Sequence, residues 1–184
     1  MKLHPTPLAG SLVIEPQRRE DHRGYFARTF CQDELGAAGL FQRIAQCSIS
    51  HNLRRGTLRG LHFQSAPHEE EKIVSCTSGA IVDVIVDLRR DSPTFARSFM
   101  QELTPENALA VYVPKGFAHG FQTMADNSTV SYVMSEFYVP QAASGVRWDD
   151  PDVGIPWPDR QPVISERDAG WPTVSEWLRD PQRR

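Results

Sequence analysis

The fold of this chain is decided by two segments, Gly56-Thr-Leu-Arg-Gly-Leu-His-Phe-Gln64 and Val113-Pro-Lys-Gly-Phe-Ala-His-Gly-Phe-Gln-Thr123. Each sets one histidine among glycines and β-forming residues, a pattern that is typical of strand–turn–strand. Glycine occurs where the backbone must turn or approach another group closely. A histidine held by rigid strands suits proton transfer, because its unperturbed pKa is about 6.5. We therefore expect an enzyme with a pocket inside a β-barrel, and His62 is the first candidate for its base.

The strand pattern continues on both sides of these segments. In Ala80–Leu88, one face of the alternation is all apolar and belongs in a core, while the other carries Asp83 and Asp87. The mixed face is expected either to line a polar cavity or to lie on the surface. Because strands recur without long helices between them, the pattern favours an antiparallel sandwich or barrel. Further strands are expected at Lys72–Cys76, Ser98–Glu102, Leu109–Val113, Phe117–Met124 and Thr129–Tyr138.

Helices are expected to be few and short. The candidates are Gln32–Ala38, a single turn at Thr104–Ala108 with Thr104 as its cap, and Thr173–Arg179. The segment Trp148–Pro162 is expected to be extended chain laid over the barrel. The fold class is therefore all-β, with a few short helices and an extended C-terminal tail.

Size, charge and cysteine content exclude several classes of protein. The 184 residues are enough for one domain, which we expect to span residues 1–184. A net charge of −3 gives no general basic field for nucleic acid, and no apolar run is long enough to span a membrane. The N-terminus lacks the apolar core of a signal peptide. Cys31, Cys47 and Cys76 fit neither a disulfide framework nor a zinc knuckle, so we expect free thiols in a reducing cytosol.

Several polar residues are candidates for a site, although each alone is explained as well by packing or solvation. Lys72 follows a loop with three glutamates, Glu69–Glu71, which is expected to be solvated. Tyr132 and Tyr138 are an even number of residues apart on one expected strand. They should therefore face the same way at opposite ends of a pocket, about 20 Å apart. Cys47 and Cys76 are expected to be small buried hydrophobes.

A metal site is not expected. Pro114-x-Gly-x-x-His119 is similar to the second half of the cupin metal signature, whose first half offers two histidines. Here Gln64 stands where the second imidazole would be, which leaves too few ligands for a tight site. We expect neither a metal nor another cofactor.

The chain resembles the dTDP-4-dehydrorhamnose 3,5-epimerase family, which has a cupin-like jelly-roll fold. The resemblance covers about residues 5 to 172 and implies an antiparallel jelly-roll barrel. It is carried, in order, by Asp21-His-Arg-Gly-Tyr-Phe26, Thr57–Gln64, Lys72-Ile-Val-Ser-Cys76, Asp83–Arg89, Ser92-Pro-Thr-Phe95, Val113–Gln122, Arg147-Trp-Asp-Asp-Pro151 and Ile164-Ser-Glu-Arg-Asp168.

The resemblance implies an acid–base reaction on a nucleotide-linked 4-keto-6-deoxy sugar, whose ketone acidifies the C–H bonds at C3 and C5. His62 would be the base, and Asp168 would bond its other ring nitrogen. Lys72 would place positive charge beside the developing oxyanion. Tyr132 would return the proton from the other face.

The resemblance also implies how the substrate is bound. Arg23 and Arg59 would hold the diphosphate, and His119 would border the pocket. Family members are homodimers in which the Arg23 segment reaches the neighbour's pocket, so a homodimer with an exchanged N-terminal segment is expected. The implied binding residues are Arg23, Phe26, Arg28, Gln46, Arg59, His119 and Tyr138.

The chain departs from the family's usual pattern near the nucleotide. Arg28 stands where the family usually has a glutamate that helps to read thymine. A guanidinium cannot accept a hydrogen bond, so Arg28 either suits another base such as cytosine or is exposed. The usual Gln-x-Asn-x-Ser reads Ile44-Ala-Gln-Cys-Ser48. In addition, Arg59 and His62 would point to opposite faces of an ideal strand, so a shared pocket requires a bulge or twist at Gly60.

Several functions remain open at this point. The leading one is a cytoplasmic epimerase that inverts C3 and C5 in deoxysugar biosynthesis of the dTDP-L-rhamnose type. The alternatives on the same scaffold are a C3-only epimerase and an epimerase of a CDP-linked sugar, and a ketoisomerase is less favoured. A sugar-binding protein without catalysis and a metal-dependent oxygenase are alternatives of other classes.

Overall fold

The computed structural model describes residues 1–41 and 43–180 of the chain. These residues form thirteen strands and three short helices. The helices are α1 (Gln32–Ala37), α2 (Glu166–Ala169) and α3 (Val174–Arg179). The strands are β1 (Lys2–Pro5), β2 (Leu12–Glu15), β3 (Arg18–Asp21), β4 (Gly24–Ala27), β5 (Gln46–Asn52), β6 (Leu58–Gln64), β7 (Lys72–Ser78), β8 (Ile81–Asp87), β9 (Ser98–Leu103), β10 (Ala110–Val113), β11 (Phe117–Thr123), β12 (Ser128–Met134) and β13 (Ala143–Gly145).

Two antiparallel sheets make up the barrel. The first has the order β1-β2-β10-β7-β12-β5, and the second has the order β13-β6-β11-β8-β9. Neighbours in each sheet are often distant in sequence, as in a jelly roll, where strands cross from one sheet to the other. Strands β3 and β4 form a separate hairpin. The prediction of an all-β, cupin-like antiparallel jelly roll with few helices is confirmed.

Strand β8 separates two apolar cores, because its two faces point in opposite directions. Ile81 and Ile85 pack inside the barrel against residues such as Phe121. Val84 and Val86 pack on the outside of the sheet. The mixed face of the alternation therefore lines the barrel interior, and the all-apolar face lies under the C-terminal tail.

The tail after β13 covers the outer face of the second sheet. Trp157 and Trp177 pack there with the apolar face of β8, and both are buried. Helix α3 begins after Thr173, whose side chain forms a capping box with Glu176. Residues 148–162 contain no helix or strand, in agreement with the prediction of a tail laid over the barrel.

Three details of the sequence interpretation are wrong. The strand expected at Thr129–Tyr138 ends at Met134, and the chain bends at Ser135 and Glu136. Tyr138 therefore does not share a strand with Tyr132. Cys76 is buried as expected, but Cys47 is exposed on the outer face of the edge strand β5. All three cysteines are free, as predicted.

Helices α1 and α3 match expectation within a residue or two, whereas α2 was not predicted. The predicted helix Gln32–Ala38 is observed as α1, and the turn at Thr104 is capped by the Thr104 hydroxyl, which accepts from the Asn107 N–H. Strands β1 to β5 and β13 were not among the predicted strands. None of the helices in residues 1–41 and 43–180 has both the length and the apolar character needed to cross a membrane.

Candidate active site

A bulge in β6 brings Arg59 and His62 to one cavity. Opposite β11, His62 pairs with His119 and Arg59 pairs with Phe121, so the register shifts between them. Gly60 allows this shift because its φ is +132°, where a side chain is strained, and because a Cβ there would lie 2.6 Å from the Gly120 Cα. Arg59 and His62 both line a cavity of about 360 Å³. The requirement stated from the sequence, a bulge at Gly60, is met.

His62 and Asp168 form a hydrogen-bonded pair at this cavity. The His62 Nε2 lies 2.7 Å from Asp168 Oδ1, and the Gly60 N–H donates to the other carboxylate oxygen at 3.2 Å. Although burial opposes ionisation, the hydrogen bonds from His62 and Gly60 hold the pKa of Asp168 below its usual range. An ionised carboxylate only accepts, so the imidazole proton lies on Nε2. The His62 Nδ1 has no hydrogen-bond partner in residues 1–41 and 43–180, and its lone pair is available to a ligand.

Helix α2 sets the position of Asp168 in this pair. Ser165 caps the helix by accepting from the Asp168 N–H at 3.1 Å. The Asp168 side chain is nearly buried, while that of His62 is 41% exposed. Trp171, which follows the helix, packs edge-on against the His62 ring. Gly145 leaves room for this indole, since a Cβ there would lie 2.6 Å from Trp171.

Lys72 lies beside the pair, at the start of β7. Its Nζ is 2.7 Å from Glu70 Oε1 and donates to the His62 carbonyl at 3.4 Å. The Lys72 and Glu70 side chains are 10% and 7% exposed, and Gln64 N–H donates to the second Glu70 oxygen. A lysine ammonium has three donors, so one remains for a ligand. The glutamate loop is therefore not simply solvated, as the sequence had suggested, because Glu70 pairs with Lys72.

Tyr132 lines an adjoining cavity of about 320 Å³, on the side of β12 that faces the barrel interior. Arg59, His62 and Lys72 line both cavities, so the two form one region. Burial, and then the nearby Asp83 carboxylate, raise the pKa of Tyr132 well above its usual value, while Arg59 opposes the rise. Among the residues that the structure describes, the Tyr132 hydroxyl has no hydrogen-bond partner.

His119 lines this second cavity. It is buried, and its Nε2 lies 2.7 Å from Oδ1 of Asp83, which is also buried. Its ring packs edge-on against Tyr132 with the centroids 6.0 Å apart. Asp83 was noticed in the sequence only as part of a mixed strand face, because the alternation gives no sign of its partner.

Tyr138 and Gln46 meet at the edge of the first cavity. Tyr138 is 56% exposed and lines the cavity that holds His62. Its backbone N–H donates to the Gln46 side-chain oxygen at 2.5 Å. Gln46 therefore holds the segment that carries Tyr138. That segment follows β12, the strand of Tyr132, and is not part of it.

Four of the expected binding residues do not line either cavity of their own chain. One is Gln46, and the other three, Arg23, Phe26 and Arg28, lie on or next to the β3–β4 hairpin. The Arg23 side chain is 78% exposed on the β3–β4 hairpin and pairs with Asp21. Phe26 is 69% exposed on the same hairpin. Arg28 is exposed in its own chain and pairs with Glu34 at 3.0 Å. In the part of the chain described, no three histidine, cysteine, aspartate or glutamate side chains are grouped to hold a metal ion.

The jelly-roll barrel, with a hydrogen-bonded histidine–aspartate pair, a lysine and a tyrosine around its cavities, has the arrangement of a cupin-like enzyme that could carry out acid–base chemistry. Residues 5–176 match the family model described as dTDP-4-dehydrorhamnose 3,5-epimerase. The chain is 41% identical over 174 residues to the dTDP-4-dehydrorhamnose 3,5-epimerase of Methanothermobacter thermautotrophicus, which covers 93% of each protein. The chain belongs to the dTDP-4-dehydrorhamnose 3,5-epimerase family. The predicted family and the predicted enzyme class, a carbohydrate epimerase and therefore an isomerase, are confirmed.

Solved structures agree with this assignment. The crystal structure of the dTDP-4-dehydrorhamnose 3,5-epimerase from Elizabethkingia anophelis superposes with a TM-score of 0.92 at 38% identity, covering 96% of this chain and 97% of the other. ChmJ, a 3'-monoepimerase from Streptomyces bikiniensis solved in complex with dTDP-quinovose, has a TM-score of 0.88 at 35% identity, covering 96% of this chain and 89% of its own.

Proposed function

We propose that the protein inverts C3 and C5 of a dTDP-linked 4-keto-6-deoxyhexose in deoxysugar biosynthesis of the dTDP-L-rhamnose type. The observation that carries this proposal is the free Nδ1 of His62, which faces a cavity while Nε2 is held by Asp168. A base that is oriented by a carboxylate is the arrangement that proton abstraction requires.

The first step is loss of a proton from carbon. The C4 ketone makes the hydrogens at C3 and C5 acidic, and His62 Nδ1 takes one of them. The electron pair of the broken C–H bond forms the enolate, with its negative charge on the C4 oxygen. Asp168 stabilises the resulting imidazolium without itself taking the proton.

Lys72 supports the enolate. Lys72 lines both cavities and keeps one N–H donor for a ligand, and an ammonium in this place would stabilise negative charge on oxygen. The carbonyl of His62 and the carboxylate of Glu70 hold the other two donors. The ammonium is therefore oriented before the substrate binds, and little reorganisation is needed during the reaction.

Tyr132 returns a proton from the opposite face. Because its raised pKa keeps the phenol protonated near neutral pH, the proton stays on oxygen until a strong base, the enolate carbon, is presented. Transfer to that carbon inverts the centre and leaves a phenolate. A proton from solvent then restores the phenol, and His62 releases its own proton to solvent.

Arg59 and Tyr138 line the cavity of their own chain and would bind the diphosphate and the nucleotide base. The remaining binding residues of the proposal, Arg23, Phe26 and Arg28, would act in the cavity of a second subunit. Gln46 would support Tyr138 through its hydrogen bond.

A homodimer with exchanged hairpins follows from this arrangement. The edge strand β5 and the segment after it expose Ile49 at 73% and Leu53 at 70%, and Phe26 on the hairpin is 69% exposed. Large exposed apolar groups and an open strand edge are typical of a protein interface. Sedimentation should give a dimer. Mixing Arg23→Ala with His62→Ala subunits should restore activity, because one site of each mixed dimer would be intact.

The proposed reaction is tested by proton exchange. His62→Ala should abolish deuterium incorporation at C3 and C5 in deuterated water, measured by NMR, while dTDP binding persists. His4→Ala is a matched control, because His4 is an exposed histidine that pairs with Glu15 on the outside of the barrel. Retained exchange in His62→Ala would contradict the proposal, and a wild type without any exchange would indicate a binding protein.

A C3-only epimerase is the second candidate, favoured by the similarity to a 3'-monoepimerase. The same NMR assay separates the two, because deuterium would then enter at C3 alone. We further propose that residues 1–184 act as one cupin-like domain and that the enzyme works in the cytoplasm, where its three free cysteines stay reduced. Cell fractionation tests the location.

A further inference from the structure

Asn52 is a buried residue with no place in the mechanism described above. It ends strand β5 and is 2% exposed. It lines neither of the two cavities around His62. Its side chain nevertheless contacts Arg59, which lines both.

The hydrogen bonds of Asn52 determine the orientation of its amide. The Nδ2 group donates to the Ser50 carbonyl at 3.1 Å and to the Ser128 carbonyl at 3.2 Å. An amide nitrogen carries two hydrogens, so both donors are used. The Oδ1 must therefore face the other way, where it accepts from Arg59 Nε at 2.7 Å.

This contact fixes the guanidinium of Arg59. With Nε bound to Asn52, the two terminal nitrogens carry four further N–H donors, and these have no acceptor in residues 1–41 and 43–180. Arg59 lines the cavity with Tyr138 as well as the cavity with Tyr132. The edge of the guanidinium that is free of protein contacts is therefore presented to whatever anion enters this region.

We propose that Asn52 is a positioning residue, which holds Arg59 so that its two terminal nitrogens bind the diphosphate oxygens of the nucleotide sugar. The inference rests on the proposed function. A free arginine side chain has many rotamers, and fixing it before binding removes an entropy loss from the binding step. Because Asn52 lines neither cavity, it would make this contribution without contacting the ligand.

The test compares nucleotide binding with and without the asparagine. Asn52→Leu keeps the size of the side chain and removes the acceptor for Arg59. The dissociation constant for dTDP, measured by calorimetry, should rise about ten-fold, the effect of losing one hydrogen bond to a charged group. Thymidine, which lacks the diphosphate, should bind as before. KM for the nucleotide sugar should rise more than kcat falls.

Two further measurements separate positioning from a structural role. In an Arg59→Ala background, the same asparagine substitution should leave dTDP binding unchanged, because the group through which it acts is gone. Asn107→Leu is the matched control, because Asn107 also bonds to backbone groups but lies in a turn remote from the cavity. If Asn52→Leu does not fold, Asn52→Ala is used in the same cycle.

The outcomes distinguish this inference from the proposed function. Equal weakening of thymidine and dTDP, or the same loss in the Arg59→Ala background, would overturn the positioning role. If the wild type binds dTDP and exchanges protons but Asn52→Leu matches it, only this inference is wrong. A wild type that neither binds dTDP nor exchanges protons would overturn both.

Discussion

Replacing Asp168 by asparagine should disable the base while leaving the fold and the nucleotide site in place. In the wild type, both carboxylate oxygens accept hydrogen bonds, one from His62 Nε2 at 2.7 Å and one from the Gly60 N–H at 3.2 Å. An amide has only one oxygen. If that oxygen keeps Gly60, the NH2 group faces His62 and forces the imidazole proton onto Nδ1, where the base should be free. If that oxygen instead accepts from His62, the NH2 group faces the Gly60 N–H, and two donors are left opposite each other without an acceptor.

The size of the effect follows from the role of the pair. Positioned general-base catalysis contributes about 10²- to 10⁴-fold to rate, which corresponds to about 3 to 5 kcal/mol of transition-state stabilisation. Asp168→Asn should therefore lower kcat by about that factor, with dTDP affinity changed by less than about three-fold. The assay measures deuterium uptake at C3 and C5 by NMR together with dTDP binding by calorimetry.

The matched control for Asp168→Asn is an aspartate on the tail, outside the cavities. Asp149→Asn alters an exposed aspartate that pairs with Arg147 at 2.8 Å on the tail, so it should leave exchange unchanged. If Asp168→Asn retained exchange within about ten-fold of the wild type, the carboxylate would not be orienting the base. A loss of dTDP binding in parallel with exchange would instead indicate that the barrel had been disrupted.

Four further outcomes are expected. Tyr132→Phe should slow product formation more than it slows loss of the substrate proton, because the base is intact and the acid is missing. Equal slowing of proton loss and of product formation in the NMR assay would show that Tyr132 is not the acid. Glu70→Gln should lower the free energy of unfolding by about 1 to 3 kcal/mol, because Lys72 loses its charged partner in a nearly buried setting, and urea denaturation that gives an unchanged value would contradict this. Arg28→Glu should shift affinity from CDP toward dTDP if Arg28 contacts the base of a bound nucleotide, and competition binding with no shift would place it outside the site. The pKa of Asp168 is lowered by folding, so the ionised carboxylate stabilises the fold above the unfolded pKa, about 4, and this stabilisation is lost as pH falls through the folded pKa. The difference in unfolding free energy between wild type and Asp168→Asn should therefore shrink between pH 7 and pH 3. A constant difference would refute the hydrogen bonds to the ionised carboxylate as its cause.

The sequence by itself determined the local features of this protein. Alternation at period two identified β8, and the glycines around His62 and His119 identified the strands that carry them, because these patterns depend on neighbouring residues alone. The family motifs selected the same histidines. Short, charged strands such as β3 were not predicted, since four consecutive polar residues show no alternation of apolar and polar side chains.

The tertiary structure decided which side chains meet, and for His62 and Asp168 only the family resemblance had implied the contact in advance. Asp168 lies 106 positions from His62, and their contact depends on the register of β6, the bulge at Gly60 and the cap on α2. The end of β12, which separates Tyr138 from the strand of Tyr132, and the contact of Asn52 with Arg59 likewise depend on cross-strand hydrogen bonds. Such contacts are set by how distant strands pair and bend, and a local pattern carries no record of that geometry.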